Sequence, residues 1–354
     1  MRTTRRKERG LTLIELLAVG TIVLILTAIS LPMVKPMLDS QQTRSASQVV
    51  STYLNRAKNR AKLSGRPCGV RFEVWPGTDV QLECNNGAKK EVSPNVFLYS
   101  RGASLVMRQI DVPPEYSGFS GGETVSVNSG AFTVNNDLYL SRILEKQTQA
   151  RIQFNNEGPY FRIWPNTSNL VAQPTCTLRP YENVPFKVQF SPKPTMTSPM
   201  ALPQGAAIDL QFSGVAGLNQ QGVFDYPTGA ENATNVSDDV TIMFSPSGAV
   251  DTVNGEYPTG PIYLLIGRWD QINAVRENQD GETLPNYADG RNYWVTINPQ
   301  SGLISTAEVN PVTDHGFYPT EDSTPATDCV LGNTNILQKS REFASQAKRN
   351  IGGY

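Results

Sequence analysis

Histidine is almost missing from this chain of 354 residues: His315 stands alone. A single imidazole excludes a multi-histidine metal site, and any Ser-His-Asp or Cys-His centre would have to be built on His315 itself. Cysteine is also scarce, with Cys68, Cys84, Cys176 and Cys329 and no CxxC pair. The spacing of Cys68 and Cys84 matches no zinc motif. Cys68 with Cys84 and Cys176 with Cys329 are candidate disulfides, and free buried thiols are the alternative reading. An excess of charge is lacking too: 31 basic and 32 acidic residues leave a net −1, which gives a nucleic-acid-binding role no support. Gly118-Phe119-Ser120-Gly121-Gly122 has neither the following lysine nor the helix of a phosphate loop. The oxygen-rich stretch Asn278–Glu282 with Asp289-Gly290 misses the calcium-loop pattern, because residues 276–281 read Arg-Glu-Asn-Gln-Asp-Gly. No nucleophile motif compensates for these absences. The chain therefore reads as a non-enzyme with no cofactor and no metal.

What is present is concentrated at the start. Arg2, Arg5, Arg6, Lys7 and Arg9 face one acid, Glu8, and precede Gly10. Leu11–Leu31 then holds one charge in 21 residues, Glu15. A secretory signal peptide would need a shorter apolar core and a small-residue cleavage site after it, where this chain continues Leu31-Pro32-Met33-Val34-Lys35-Pro36. A plain membrane anchor fits the length, since ~20 residues span ~30 Å of hydrocarbon. Basic residues ahead of the run would place the N-terminus in the cytoplasm. An anchor leaves Glu15 unexplained, and a carboxylate inside such a run marks a functional site.

Gly10-Leu11-Thr12-Leu13-Ile14-Glu15-Leu16-Leu17 resembles the cleavage and methylation signal of type IV pilins and of the pseudopilins of type II secretion systems. The resemblance implies a cut by a prepilin peptidase between Gly10 and Leu11, with Leu11 N-methylated as the new amino terminus. Thr12, Glu15 and Pro32 match the family pattern. The first mature residue departs from it, being Leu11 where phenylalanine is usual. Loss of residues 1–10 removes five basic residues and one acid, so the charge changes from −1 to −1 − (5 − 1) = −5. A buried carboxylate is tolerated when paired. In the implied assembly, Glu15 pairs with the amino terminus of a neighbouring subunit. The implied partners are the prepilin peptidase, other pilins or pseudopilins of the filament, an inner-membrane assembly platform and the lipid bilayer. The implied location is the inner membrane, single-pass, with the head in the periplasm.

Beyond the apolar run, Ala46, Val49, Val50, Tyr53, Leu54, Ala57 and Ala61 recur at helical spacing. Gly65 and Pro67 supply a stop. Pro32 and Pro36 are expected to interrupt the helix. The chain then reads as strands: Cys68–Trp75, Val80–Cys84, Asn95–Ser100, Ser104–Ile110, Thr124–Val127, Phe132–Val134, Arg151–Phe154, Tyr160–Trp164, Pro185–Phe190, Ala207–Phe212, Val240–Phe244, Ile262–Ile266, Tyr293–Ile297 and Leu303–Glu308. Segments 111–123, 191–206, 213–238 and 270–292 read as loops, and Asn335–Asn350 as a helix. The helix-to-strand passage Arg56–Pro67 and the turn Phe244-Ser245-Pro246-Ser247-Gly248 are similar to those of the H-type minor pseudopilins. Asn298-Pro299-Gln300-Ser301-Gly302 is a turn of the same kind.

The expected organisation is a leader (1–10), a transmembrane and assembly helix (11–34), its amphipathic continuation (35–66), a β-rich periplasmic head (67–334) and a C-terminal helix and tail (335–354). The expected fold class is α+β: a long N-terminal helix packed on an antiparallel sheet head with large loop insertions around 100–240. The expected function is a minor filament subunit, in a pseudopilus or type IV pilus-like fibre for protein secretion. The alternative is a fibre subunit whose head grips DNA, a surface or a secretion substrate.

Overall fold

The computed structural model describes residues 13–346, apart from 76–79, 82–90, 94–95, 101, 118–123, 129–130, 135–149, 166–169, 174–180, 217–223, 229–238, 273–283 and 313–333. Helix α1 (Leu13–Ser64) comes first. It runs through Pro32 and Pro36 without a break, contrary to expectation. Gly65 stops it with φ +65°, a left-handed turn that glycine adopts without steric cost, and its N–H bonds the Ala61 carbonyl at 3.1 Å.

Five strands follow: β1 (Cys68–Val74), β2 (Val80–Gln81), β3 (Glu91–Ser93), β4 (Val96–Ser100) and β5 (Ala103–Asp111). The next six are β6 (Thr124–Asn128), β7 (Ala131–Val134), β8 (Arg151–Phe154), β9 (Phe161–Pro165), β10 (Leu170–Gln173) and β11 (Tyr181–Gln189). The last nine are β12 (Lys193–Pro194), β13 (Met200–Ala201), β14 (Ala206–Val215), β15 (Asp225–Thr228), β16 (Val240–Phe244), β17 (Val250–Val253), β18 (Ile262–Arg268), β19 (Tyr293–Ile297) and β20 (Ile304–Glu308). A short helix α2 (Thr334–Ser340) and one further helical turn at 342–346 end the described chain.

The strands form three units. A ten-stranded antiparallel sheet has the order β17-β16-β1-β5-β14-β18-β19-β20, with β12 and β13 added on β5. Strands β6–β11 close into a six-stranded barrel in the order β10-β7-β6-β11-β8-β9. A small sheet joins β15, β4 and β2, with β3 on β4.

The expected fold class is overturned. Strand outweighs helix in the described residues. Strands between residues 124 and 189, most of them expected as strands within insertions on one sheet, close instead into a separate barrel, so the body is not one sheet under one helix. The expected inner-membrane, single-pass location is corrected as well. Among the described residues no helix is long and apolar enough to cross a membrane.

The large sheet curls around the second half of α1. One flank of the helix meets β1 and β16, the other β18, β19 and β20. The two turns singled out in the sequence close the ring: the Val250 N–H, just past the first, bonds the Pro299 carbonyl in the second at 2.8 Å. Inside lie Ala46, Val50, Leu54, Ala57 and Ala61 from α1, against Val70, Phe72, Ile242, Phe244, Leu264 and Val295. Three alanines on this helix stripe let strands approach closely. The outer face of β14, β18 and β19 carries Phe212, Tyr263, Leu265 and Trp294, covered by Tyr287, Leu337 and Ala344. The barrel has its own core of Val125, Ile152, Phe154, Ile163, Phe186 and Val188. It is rooted by Arg151, which bonds Asp251 on β17 and the Tyr257 hydroxyl, with the Tyr160 and Tyr257 rings against its guanidinium.

Candidate assembly arm and helix groove

The first part of α1 is bare. Leu13 (84% exposed), Ile14, Leu16, Leu17, Val19, Ile22, Val23, Leu24, Ile25 and Leu26 all face outward. They are distributed around the helix, so no apolar stripe faces one partner element. A helix apolar on all sides is normally buried. Thr21 and Thr27 return their hydroxyls to the carbonyls of Ala18 and Val23 at 2.8 and 2.7 Å.

The arm passes into the head at Thr43, where a polar network begins. Thr43 Oγ1 donates to the Arg291 carbonyl at 2.7 Å, and Arg291 forks onto the Asp289 carboxylate. Asp289 accepts from Gln271 Nε2, and Gln271 Oε1 accepts from Asn292 Nδ2. Asn292 also donates to Asn286 Oδ1, and Asn286 Nδ2 donates to Asp209 Oδ2, both at 3.0 Å. Gly267 is required here: a Cβ would stand 2.2 Å from Asn286 Oδ1. Asp209 is fully buried on β14, and desolvation pushes its carboxyl up to about 7, against the lowering effect of Asn286 and of the Gln211 and Phe212 N–H groups. Against desolvation, Arg291 and the other donors hold the buried Asp289 carboxyl below its usual range.

At the far end, Lys58 Nζ donates to the Gly302 carbonyl at 3.0 Å. Gly302 has φ +59°, and a Cβ there would lie 1.8 Å from the Gly248 carbonyl oxygen. The two turns thus touch backbone to backbone over the helix. Burial, and Lys62 nearby, lower the Lys58 ammonium pKa.

An open groove of about 750 Å³ runs along the exposed side of α1, lined by Thr52, Asn55, Arg56, Asn59, Arg60, Leu63, Ser64 and Gln109. Gln109 comes from β5, is 2% exposed, and its buried Nε2 and Oε1 both lack a hydrogen-bond partner among the described residues. An unmade buried bond costs about 1–3 kcal/mol. Arg60 Nη2 donates to Asp111 Oδ2 at 3.2 Å, while Arg56 is exposed.

Of the residues expected from the sequence to form a site, Gly10, Leu11 and Thr12 lie outside the described residues; Glu15 and Pro32 fall within the span of α1. Cys84, Cys176, Cys329, His315 and the stretch 276–281 also lie outside them. Cys68 is a free, buried thiol beside Ser64 Oγ, so the structure gives a Cys68–Cys84 bridge no support. Among the described residues no cluster of His, Cys, Asp and Glu could hold a metal ion. Gln109 and Asp209 were not anticipated, nor was the burial of Arg341. Arg341 is buried over the rings of Tyr263 and Trp294 at 4.8 and 5.0 Å and donates to the Phe212 carbonyl at 2.8 Å, and burial brings its pKa down to about 10.

No family model matches the chain, and neither the curated proteins nor the solved structures contain a match.

Proposed function

We propose that the chain is a non-enzymatic, pilin-like filament subunit, joined to neighbouring subunits through the arm of α1. One observation supports this above the rest: the arm's apolar side chains are exposed on every side, while Ala46–Ala61 of the same helix bury an apolar stripe in the head. Burying such a side chain is worth ~1.5–3 kcal/mol, so ten of them strongly favour association. In this reading the basic leader is removed after Gly10 by a prepilin peptidase, and Leu11 becomes the methylated amino terminus. Thr12 and Glu15 enter the intersubunit contact, Glu15 as a register check. The neighbours are other pilins or pseudopilins of a pseudopilus or type IV pilus-like fibre, delivered by an assembly platform.

Two substitutions test it. Replacing Gly10 by a bulky residue leaves the leader attached, as read by the intact mass of the mature chain. A mature amino terminus still at Leu11 refutes the processing step. Glu15→Ala permits cleavage but lowers incorporation into filaments, as read by shearing and immunoblotting. Undiminished incorporation refutes the role of Glu15.

A further inference from the structure

The segment 284–292 joins the outer face of the large sheet to the root of the arm. Ile208 and Leu210 of β14 belong to the core inside the ring, so Asp209 between them takes the outer face, where Asn286 bonds it. Asn286, Asp289 and Asn292 are all buried, a heavy polar load for a connecting segment. Between the carboxylates of Asp289 and Asp209 the bonds run through three amides. Asn292 Nδ2 donates towards both ends, to Gln271 Oε1 and to Asn286 Oδ1. The Gln271 and Asn286 amide nitrogens then donate to Asp289 and to Asp209. The same segment carries Arg291, whose carbonyl takes the Thr43 hydroxyl from α1.

The two ends of this relay differ in charge. Asp289 is paired with the Arg291 guanidinium. Asp209 receives only neutral donors, the Asn286 amide and the N–H groups of Gln211 and Phe212. Its partners on β5 and β18, Ala103 and Leu265, carry no charge. The charged groups around it are bonded elsewhere: Arg268 of β18 to Asp270, Asp289 to Arg291, and Arg341 to the Phe212 carbonyl. An ionised carboxylate without a cation is costly at so dry a place, and a protonated one still has acceptor capacity for Asn286. The closed segment also buries Asn292 Oδ1 with no hydrogen-bond partner among the described residues, a cost that water would relieve.

We infer that segment 284–292 is a proton-linked latch on the root of the arm: lifting it uncovers Asp209, which releases its proton to water, and frees Thr43 from the Arg291 carbonyl. Closed, Asp209 keeps its proton up to about pH 7; lifted, it gives the proton up above the usual 3.8. Opening is therefore favoured as pH rises between these values and levels off above them. The bearing of the latch on assembly rests on the reading of the arm given above, whereas the latch itself is tested without filaments.

Hydrogen–deuterium exchange tests it on the full chain held in a non-ionic detergent between pH 5 and 8, with rates corrected for the intrinsic effect of pH. Peptides covering 284–292 and 40–47 are expected to lose protection together as pH rises to 7, by up to about tenfold per pH unit, with little further change at pH 8. Both should stay less protected throughout than 68–74 in β1, a strand paired on both sides. Asp209→Asn has no proton to release and should flatten the dependence in both peptides. Thr43→Val should uncouple them, leaving the dependence in 284–292 alone. Wild-type protection of 284–292 that does not change with pH overturns the inference without any variant, should Asp209→Asn fail to fold. So would an equal dependence in Asp209→Asn, protection no lower than that of 68–74, or a 40–47 peptide that does not follow a responsive 284–292.

Discussion

Leu24 and Leu54 sit on the same helix, the first 70% exposed and the second fully buried. Around Leu54 the apolar positions keep to one stripe, and the rest of that turn is Thr52, Asn55, Arg56 and Lys58. Around Leu24 the apolar residues run on unbroken. The stripe specifies a fixed orientation, because only one face profits from burial. The unbroken run specifies burial without orientation, so it suits a contact made repeatedly with equivalent neighbours. The comparison shows one helix that buries a single stripe in the head at one end and bears exposed apolar side chains all round at the other.

Paired substitutions break or sharpen this contrast. Leu54→Ala should cost about 2–5 kcal/mol of head stability by opening a cavity. Leu24→Ala should shift it by less than about 0.5 kcal/mol. Chemical denaturation of the two variants reads the difference, and similar losses would show that the arm is folded against the head. Gly302→Ala strikes the closed end of the ring, where both φ and the Gly248 carbonyl oppose a Cβ. It should cost at least about 1–3 kcal/mol by the same measurement. Asp209→Asn should act through pH. A carboxyl whose folded pKa stands near 7, above its usual 3.8, holds a proton that the unfolded chain has released. Its contribution is full below pH 3.8 and is lost as pH rises through about 7. The wild-type melting temperature should therefore decline across this window more than that of Asp209→Asn. Parallel profiles would remove Asp209 as the cause. The smallest effect belongs to the half-exposed pair Arg60–Asp111. Arg60→Ala should cost about 0–1 kcal/mol, and less at high salt.

Much of the strand content was legible. Arg151–Phe154, Val240–Phe244 and Tyr293–Ile297 coincide with β8, β16 and β19. Their patterns are local, and so were the turn at Phe244–Gly248 and the stop at Gly65. The closed barrel was not legible, because β10 pairs with β7 and β11 with β6 across long sequence gaps, and nothing local encodes those pairings. Asp209 and Gln211 alternate with Ile208 and Leu210, a pattern that reads as a half-solvated strand. Asp209 is in fact buried and bonded by Asn286, far along the chain. Gln109 escaped notice for the same reason: one polar residue in a strand says nothing about which helix lies over it. Pro32 and Pro36 were expected to break α1 because each removes a backbone donor. The helix nonetheless continues through both.

The meeting of the turns at Gly248 and Gly302 also has a mechanical meaning. A pull on the arm is transmitted along α1 into a ring of strands that runs beside the helix and is fastened at its far end. At that end the Lys58 bond to the Gly302 carbonyl and the Val250–Pro299 bond add to the strand contacts along the helix, so tension is shared among several bonds. A head built this way suits a subunit that is held by one end and pushed or pulled as part of a rod.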